Sequence, residues 1–491
     1  MTTYEELRAS KIQKLNQLRE KGINPFPYQY IRTHTAAEIK DKLNALQNGE
    51  ESTVNVKIAG KIMGMRGFGK LAFLDVWDDT GKIQVQLKSG VTPEAAFELM
   101  GMMDSGDYAG AEGKVVRTQR GELSVLAEDL QILSKSIAPL PDKWHGVSDV
   151  EVRYRQRYVD LFMNPDVKKV FVGRAKIVQT VRRVLDAQGF VEVELPTLQP
   201  QYGGANARPF TTHSNALDQD LYLNISPEMY LKRLTMGNIE KTYTICKNFR
   251  NEDIDKTHNP EFTMMECYWA YADYNDMMEL TEEVFRESCI AVHGDERFTF
   301  QGKEFDLAQK WERLPMKKAI KKYGNIDVDE LSDQQMLDLI AKTGKKMENP
   351  KLRGLIINEL FEAVAEHHLI QPVHLMDHPY ETTPLCKEHR TEKGLIERFE
   401  SFINGWEMCN AYSELNDAIK QRELLEKQSK EGRAGGEEMP VDEDFIRAME
   451  YGMPPTGGLG IGIDRMCMLL LDQPTVRDVI FFPQMRNLDK K

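Results

Sequence analysis

Cysteine is scarce in this chain. Six of its 491 residues are cysteines (Cys246, Cys267, Cys289, Cys386, Cys409 and Cys467), and no two form a close CxxC pair. A disulfide framework or a thiolate zinc site is therefore not expected, and a reducing cytoplasmic setting is. No apolar run reaches the ~20 residues of a bilayer span, so no membrane partner is expected. Met1–Arg19 is charged and amphipathic, with no apolar stretch before a small-residue cleavage site, which argues against a secretory signal. There is no Walker A loop, no GxGxxG and no internal repeat, and the only biased stretch is the charged loop Lys427–Glu438. Positive charge is also short. With 64 Lys+Arg against 77 Asp+Glu the net charge is −13, the wrong sign for displacing phosphate counterions. The deficit is uneven, because residues 1–150 hold 19 Lys+Arg against 20 Asp+Glu. Charge thus permits an RNA partner without predicting one.

What is present is enough for two or more cores: 41% hydrophobic residues in a chain beyond the ~250–300 at which single cores stop growing. Leu7, Ile12, Leu15 and Leu18 predict a helix over 3–22, stopped before Gly22 and the turn-rich Asn24-Pro25-Phe26-Pro27. From Val54 the period changes to two. Val54, Val56 and Ile58 alternate with polar residues. Leu71, Phe73, Asp75 and Val76 lead into the hairpin turn Asp79-Thr80-Gly81-Lys82, and Ile83, Val85 and Leu87 follow. A helix fits Pro93–Met103, with Thr92 as N-cap and Pro93 in its first position. Strands at Asp107–Thr118 and Glu122–Leu133 complete five strands with a helix between the third and fourth. That is the order of an OB-fold, with a generic small β-barrel as the alternative.

The domains expected are a helical extension at 1–50, an OB-fold at 51–135, a linker at 136–150 and a large α+β catalytic region at 151–491. Strands in that last region fall near 190–195, 221–225, 240–250, 262–271, 371–376 and 397–414. Their irregular spacing predicts a mixed, mostly antiparallel sheet flanked by helices, with a helical insertion around 275–365. Asp166–Gln188 reads as a long helix stopped by Gly189, and the strand after it ends at Pro196.

Three segments of this region carry unusual chemistry. In the strand from Phe262, a period of two puts Phe262, Met264, Glu266 and Tyr268 on one face. An unpaired polar group buried there would cost of order 2–7 kcal/mol, so that face asks for a partner. The loop before it, Asn251–Pro260, holds groups able to bind phosphate and base, although a solvated hairpin with a charged tip is the alternative. A second polar strand runs from Glu400 to Glu414. Asn410, Tyr412 and Glu414 share a face by parity, whereas Glu407 has the opposite parity; a bulge near Gly405 re-aims it, or it serves another site. Clustered carboxylates of this kind suit Mg2+ bridging phosphates, with a surface acidic patch as the alternative. Last comes Gly457-Gly458-Leu459-Gly460-Ile461-Gly462-Ile463-Asp464-Arg465. Its glycines admit a close ligand, and its arginine opens a helix whose N–H groups favour anions.

Taken in order, the helix–strand–Pro196 unit, Phe249-Arg250-Asn251-Glu252 with His258 and Phe262, and Gly460–Arg465 resemble motifs 1, 2 and 3 of class II aminoacyl-tRNA synthetases. The N-terminal OB-fold, Arg153-Tyr154-Arg155-Gln156-Arg157-Tyr158, Ser226-Pro227-Glu228, His258–Thr263 and Ser413-Glu414-Leu415-Asn416-Asp417 are similar to the lysyl-tRNA synthetase family of class IIb. The resemblance implies a homodimeric ligase acting on L-lysine, ATP and tRNA(Lys). It implies Arg250 on the α-phosphate and the lysine carboxylate, Arg465 on the γ-phosphate, and Phe262 on adenine with Glu252, His258 and Asn259 near ATP. It implies Mg2+ on Glu400 and Glu407. Gly204 and Glu228 would take the α-amino group and Glu414 with Tyr268 the ε-ammonium, with Asn410 and Glu266 completing the pocket. In the barrel it implies anticodon contacts from Arg66, Phe73, Gln84 and Glu122. Trp406 and Ala418 depart from the family pattern, which often has arginine and proline there, yet neither replaces a ligand. Two rivals remain. One is an enzyme that lysylates a translation factor, whose family lacks the barrel. The other is a non-catalytic module, which would be expected to lose Arg250, Arg465 or the carboxylates.

Overall fold

The computed structural model describes residues 3–68, 70–141, 149–345, 347, 352–431 and 441–487. Residues 142–148 of the expected linker and 432–438 of the charged loop lie outside them. The chain divides into two compact units, Met1–Gly146 and Val147–Lys491.

The first unit runs α1 (Tyr4–Glu20), α2 (Ala36–Leu43), β1 (Glu51–Phe68), β2 (Leu71–Trp77), β3 (Lys82–Lys88), α3 (Glu94–Met102), β4 (Tyr108–Arg117) and β5 (Leu123–Ser134). Thr3 and Glu6 form a reciprocal capping box that sets the start of α1. The strands pair in the ring β1-β2-β3-β5-β4, closed by β4 on β1. Alternate residues such as Leu74, Val76, Val85, Ala111 and Val125 fill its interior. One expectation fails at α3. Pro93 occupies the cap position without a side-chain bond, and Thr92 instead donates its hydroxyl to the Ala127 carbonyl at 2.6 Å. That hydroxyl ties the helix approach to β5, so it is not free to cap.

The second unit opens with α4 (Val150–Arg155), α5 (Arg157–Met163) and α6 (Pro165–Ala187), then β6 (Val191–Glu192), β7 (Leu198–Gln199), β8 (Thr211–Ser214), β9 (Gln219–Leu223), α7 (Glu228–Met236), β10 (Lys241–Phe249) and β11 (Glu261–Ala270). It continues with α8 (Tyr274–His293), β12 (Arg297–Phe300), β13 (Lys303–Asp306), β14 (Glu312–Pro315), α9 (Met316–Gly324), α10 (Asp333–Lys342), α11 (Arg353–Val364) and β15 (Val373–Pro379). It ends with β16 (Leu395–Ile403), β17 (Trp406–Ser413), α12 (Ala418–Glu431), α13 (Glu443–Glu450), β18 (Thr456–Gly462), α14 (Ile463–Leu470) and α15 (Val476–Val479).

Eight strands form the main sheet in the order β14-β15-β16-β17-β18-β11-β10-β6. Only the two outermost pairings are parallel. Helices α6, α8 and α14 bury Ile177, Val181, Phe285, Met466 and Leu469 against one face, with Met265, Ala411 and Ile461 of the sheet. Several expected strands change. The stretch 190–195 pairs only over β6, because the chain leaves the sheet edge once the Val193 N–H has bonded the Tyr243 carbonyl. The strand near 221–225 is β9, in a separate three-stranded sheet. The single strand expected over 397–414 is a hairpin: Asn404 and Gly405 have φ of 57° and 71°, the left-handed pair of a type I′ turn. The helix-rich stretch around 275–365 also supplies the β12–β13 hairpin and β14, the far edge of the main sheet.

Candidate functional site

The site is built on the centre of the main sheet. Gly458, Gly460 and Gly462 lie on one face of β18, opposite Tyr268, Glu266 and Met264 of β11. On the other side Gly458 and Gly460 face Tyr412 and Asn410 of β17. With no side chains of its own on this face, β18 is a trough floor between two polar walls. A Cβ on Gly458 would come within 2.7 Å of the Tyr268 ring and would strike the Glu414 carboxylate. The trough opens into a cavity of about 730 Å3.

A β-bulge settles the parity of Glu407. Ser401 faces Cys409 but Phe402 faces Glu407, which leaves Met408 as the extra residue. The bulge sits three residues beyond Gly405 and turns Glu407 onto the face of Glu400 and Asn410. Arg398 donates to Asn410 Oδ1 at 3.1 Å and to Glu400 Oε1 at 2.5 Å. Burial pushes Glu400 up to about 7, with Glu407, Glu362 and Glu366 adding to the rise and Arg398 opposing it.

One end of the cavity is a buried acidic nest. Glu228 opens α7 and receives the Tyr412 hydroxyl at 3.1 Å. Ser226 Oγ donates to Glu266 at 3.1 Å, and the Glu228 N–H donates to Ser226 Oγ at 3.2 Å. Gly204, at φ 80°, packs where a Cβ would lie 3.1 Å from the Glu228 side chain. Burial and the charge on Glu228 push Glu266 up to about 8. Glu414 is 1% exposed, and its Oε1 accepts no hydrogen bond among the described residues. Burial raises its pKa, and Lys232 opposes the rise.

The other end is cationic. Arg250 follows β10, donates from Nε to the Ile225 carbonyl at 3.4 Å and lies 5.0 Å from the Phe262 ring centre. Arg465 bonds the Glu407 carbonyl oxygen at 2.6 Å and His258 Nε2 at 3.1 Å. An arginine only donates, so Nε2 accepts and the His258 proton sits on Nδ1, 2.8 Å from Asp255. Burial raises Asp255, but bonds from His258 and Thr257 overcome it and hold the carboxyl down at about 2. Asn259 bonds the Glu261 carbonyl through Nδ2, while its buried Oδ1 has no partner. Glu252 receives the Arg208 N–H. Asp464 ties the end of the glycine strand to β11 and α6: it accepts from the Thr263 N–H at 2.7 Å and pairs with Arg174 of α6 at 2.6 Å.

The structure thus brings Gly204, Glu228, Arg250, Glu252, His258, Asn259, Phe262, Glu266, Tyr268, Glu407, Asn410, Glu414 and Arg465 around one cavity. Glu400 is not in its wall, since Arg398 stands there instead. In the first unit, Arg66, Phe73 and Gln84 share a face by register, and Glu122 has the parity of Ser124, the partner of Gln84. Gln84 is buried and accepts from Ser124 Oγ at 2.9 Å, and Arg66 pairs with Asp75 at 3.1 Å. Sequence reasoning missed Lys232 and Arg398. The i,i+4 spacing from Glu228 was the signal for the first, and the same-face spacing of two from Glu400 for the second.

Residues 149–486 match the family model of tRNA synthetases class II (D, K and N), and residues 56–133 match that of the OB-fold nucleic acid binding domain. Together these define the class: a tRNA synthetase carried with an oligonucleotide-binding fold. Similar proteins include the lysine–tRNA ligases of Thermosynechococcus vestitus (49% identical, covering 99% of this chain and 97% of that one) and Carboxydothermus hydrogenoformans (49%, 99% and 99%). That of Pelotomaculum thermopropionicum is also 49% identical, over 98% of this chain and 95% of its own. The chain belongs to the tRNA synthetases class II (D, K and N).

Proposed function

We propose that the chain uses ATP to convert L-lysine to lysyl-adenylate and transfers the lysyl group to the 3′ end of tRNA(Lys). The observation that carries the choice of amino acid is Glu414, a buried carboxylate with one oxygen lacking a hydrogen-bond partner above the glycine floor. A cation with a slender stem fits there, and a neutral side chain would leave that oxygen unpaired, with only Lys232 on the other.

In the first step the lysine carboxylate attacks the α-phosphorus in line and pyrophosphate leaves. Glu414 and Tyr268 hold the ε-ammonium, Glu228 and Gly204 the α-amino group, and Asn410 and Glu266 close the pocket. Arg250 orients the carboxylate and the α-phosphate, Arg465 holds the γ-phosphate, and Phe262 stacks on adenine with Glu252, His258 and Asn259 beside ATP. No enzyme nucleophile is required, because positioning and charge neutralisation carry the step. The 3′-hydroxyl of the terminal adenosine of tRNA then attacks the lysyl carbonyl of the adenylate, the acyl–phosphate bond breaks and AMP leaves. Glu400 and Glu407 would hold Mg2+. Their oxygen donors, brought to one face by the bulge, suit it. Bound there, Mg2+ would offset the charge on the phosphate oxygens.

The rest of the reading follows the domain division at 51–135 and 151–491, with Arg66, Phe73, Gln84 and Glu122 reading the anticodon. Phe73 would stack on a base and Gln84 read its edge. A homodimer through α6 is supported by Val172 and Val191, left exposed on α6 and β6. A cytoplasmic setting is supported by six free cysteines. The test is lysine-dependent exchange between pyrophosphate and ATP with Mg2+, followed by charging of purified tRNA. No exchange removes the enzymatic reading, and exchange without tRNA charging favours an enzyme that lysylates a protein.

A further inference from the structure

The acidic nest already contains an ammonium of its own. Lys232 lies one turn after Glu228 on α7 and is fully buried. Its Nζ is 2.5 Å from Glu228 Oε1 and is also ion-paired with Glu414 on the opposite wall. The Tyr268 and Tyr412 rings flank it at 5.9 and 5.7 Å. One protein cation therefore joins the two carboxylates assigned to opposite ends of the substrate.

We propose that Lys232 is a positioning and specificity residue: as resident counter-ion it holds Glu228 and Glu414 in place and leaves the pocket two negative charges for the two ammonium groups of lysine. The proposal rests on the lysine-activating reading above. With lysine bound and all three carboxylates ionised, Glu228, Glu266 and Glu414 bring three negative charges to the nest, and Lys232 removes one. Arg250 also acts electrostatically on Glu266, but its charge is met by the substrate carboxylate and the α-phosphate, so it does not alter this balance. Two charges remain, matching the α- and ε-ammonium groups. An amino acid with a neutral side chain supplies one ammonium and leaves a buried carboxylate bare. Without Lys232 the same holds for lysine itself. Three carboxylates would meet two ammonium groups, and the third would bind a proton and present an O–H donor where an acceptor is needed. Lys232 also bridges α7 and the end of β17, so it fixes the spacing of the two carboxylates and hence the length of the amino acid that spans them.

The balance gives a test of sign. Lys232→Met keeps an unbranched side chain one atom shorter and removes its charge. In the otherwise unaltered chain it is expected to raise the lysine KM in pyrophosphate exchange about tenfold or more, with the ATP KM within about twofold. In a Glu266→Gln background the nest is one charge short, and there Lys232→Met restores the two. In that background it is expected to lower the lysine KM. Lys232→Arg, which keeps the charge, should fall between the starting chain and Lys232→Met. A packing role predicts that Lys232→Met harms lysine use in both backgrounds, and that result would overturn the proposal. If Lys232→Met does not fold in the unaltered chain, the comparison within the Glu266→Gln background decides alone. Absence of lysine-dependent exchange in the unaltered chain overturns the underlying reading instead, so the two failures are distinct.

Discussion

Glu266 is the residue at which acidity and substrate meet most directly. Burial and Glu228 raise it to about 8 in the lysine-free chain, so near neutral pH its proton has to leave before it can pair with an ammonium. As pH rises through about 8 that proton leaves and the carboxylate becomes available. The lysine KM is therefore expected to fall between pH 7 and 9, and Glu266→Gln should flatten the profile; a wild-type KM that rises over this range would contradict it. The same shift bears on stability. Between the unfolded value of about 4.5 and the folded one of about 8, only the folded state binds the proton, so its contribution is present below that window and lost across it. Added lysine should offset that loss, measured as a melting temperature that lysine lifts more at pH 8.5 than at pH 6. At the same scale, Glu414→Gln should raise the lysine KM far more than the ATP KM, because the paired ammonium loses its counter-charge.

At the scale of elements, the site depends on one bare strand and one irregular one. Gly458→Ala would place a methyl against Tyr268 and Glu414, so exchange should need about tenfold or more lysine while the sheet, paired on both sides, stays folded. Circular dichroism together with the two KM values checks this. The Asn404–Gly405 turn is a separate matter of backbone. At φ 71°, with no neighbour nearer than 3.7 Å to the added methyl, Gly405→Ala should cost about 1 kcal/mol in urea unfolding through conformation alone. These elements also mark what could be read from the sequence. The alternation Phe262-Met264-Glu266-Tyr268 and the glycine strand were legible because a period of two is a local property. Arg250, Arg465 and the carboxylates were placed through family resemblance. The parity of Glu407 made a bulge near Gly405 one of two alternatives, but its place at Met408 was not legible, because it is a mismatch between two strands and leaves no mark on either alone. Lys232 was missed because a lysine on a helix ordinarily points to water, and its burial rests on Glu414 of the opposite wall as well as on Glu228. Thr92 misled because a good capping residue had a better acceptor at Ala127, far along the chain.

At the scale of the whole molecule, the two units imply two separable tasks. Adenylate formation needs only the cavity of the second unit, whereas choosing a tRNA by its anticodon would draw on the ring of strands in the first. Phe73 is the side chain that divides them. It is half-buried on β2, paired across the sheet with Arg66 and Gln86, on a face that also carries Gln84. Removing its ring should cost roughly 1–3 kcal/mol of stacking on a base. Phe73→Ala should therefore raise the KM for tRNA by about tenfold to a hundredfold and leave lysine-dependent pyrophosphate exchange unchanged. The net charge of −13 sharpens the expectation. With little global attraction for RNA, affinity has to come from a few local phosphate contacts and from stacking, so the salt dependence of the tRNA KM should be shallow beside that of a basic protein. Since stacking is less sensitive to salt than phosphate contacts are, the Phe73→Ala defect should persist at high salt. A defect that vanishes there would place Phe73 away from the RNA bases.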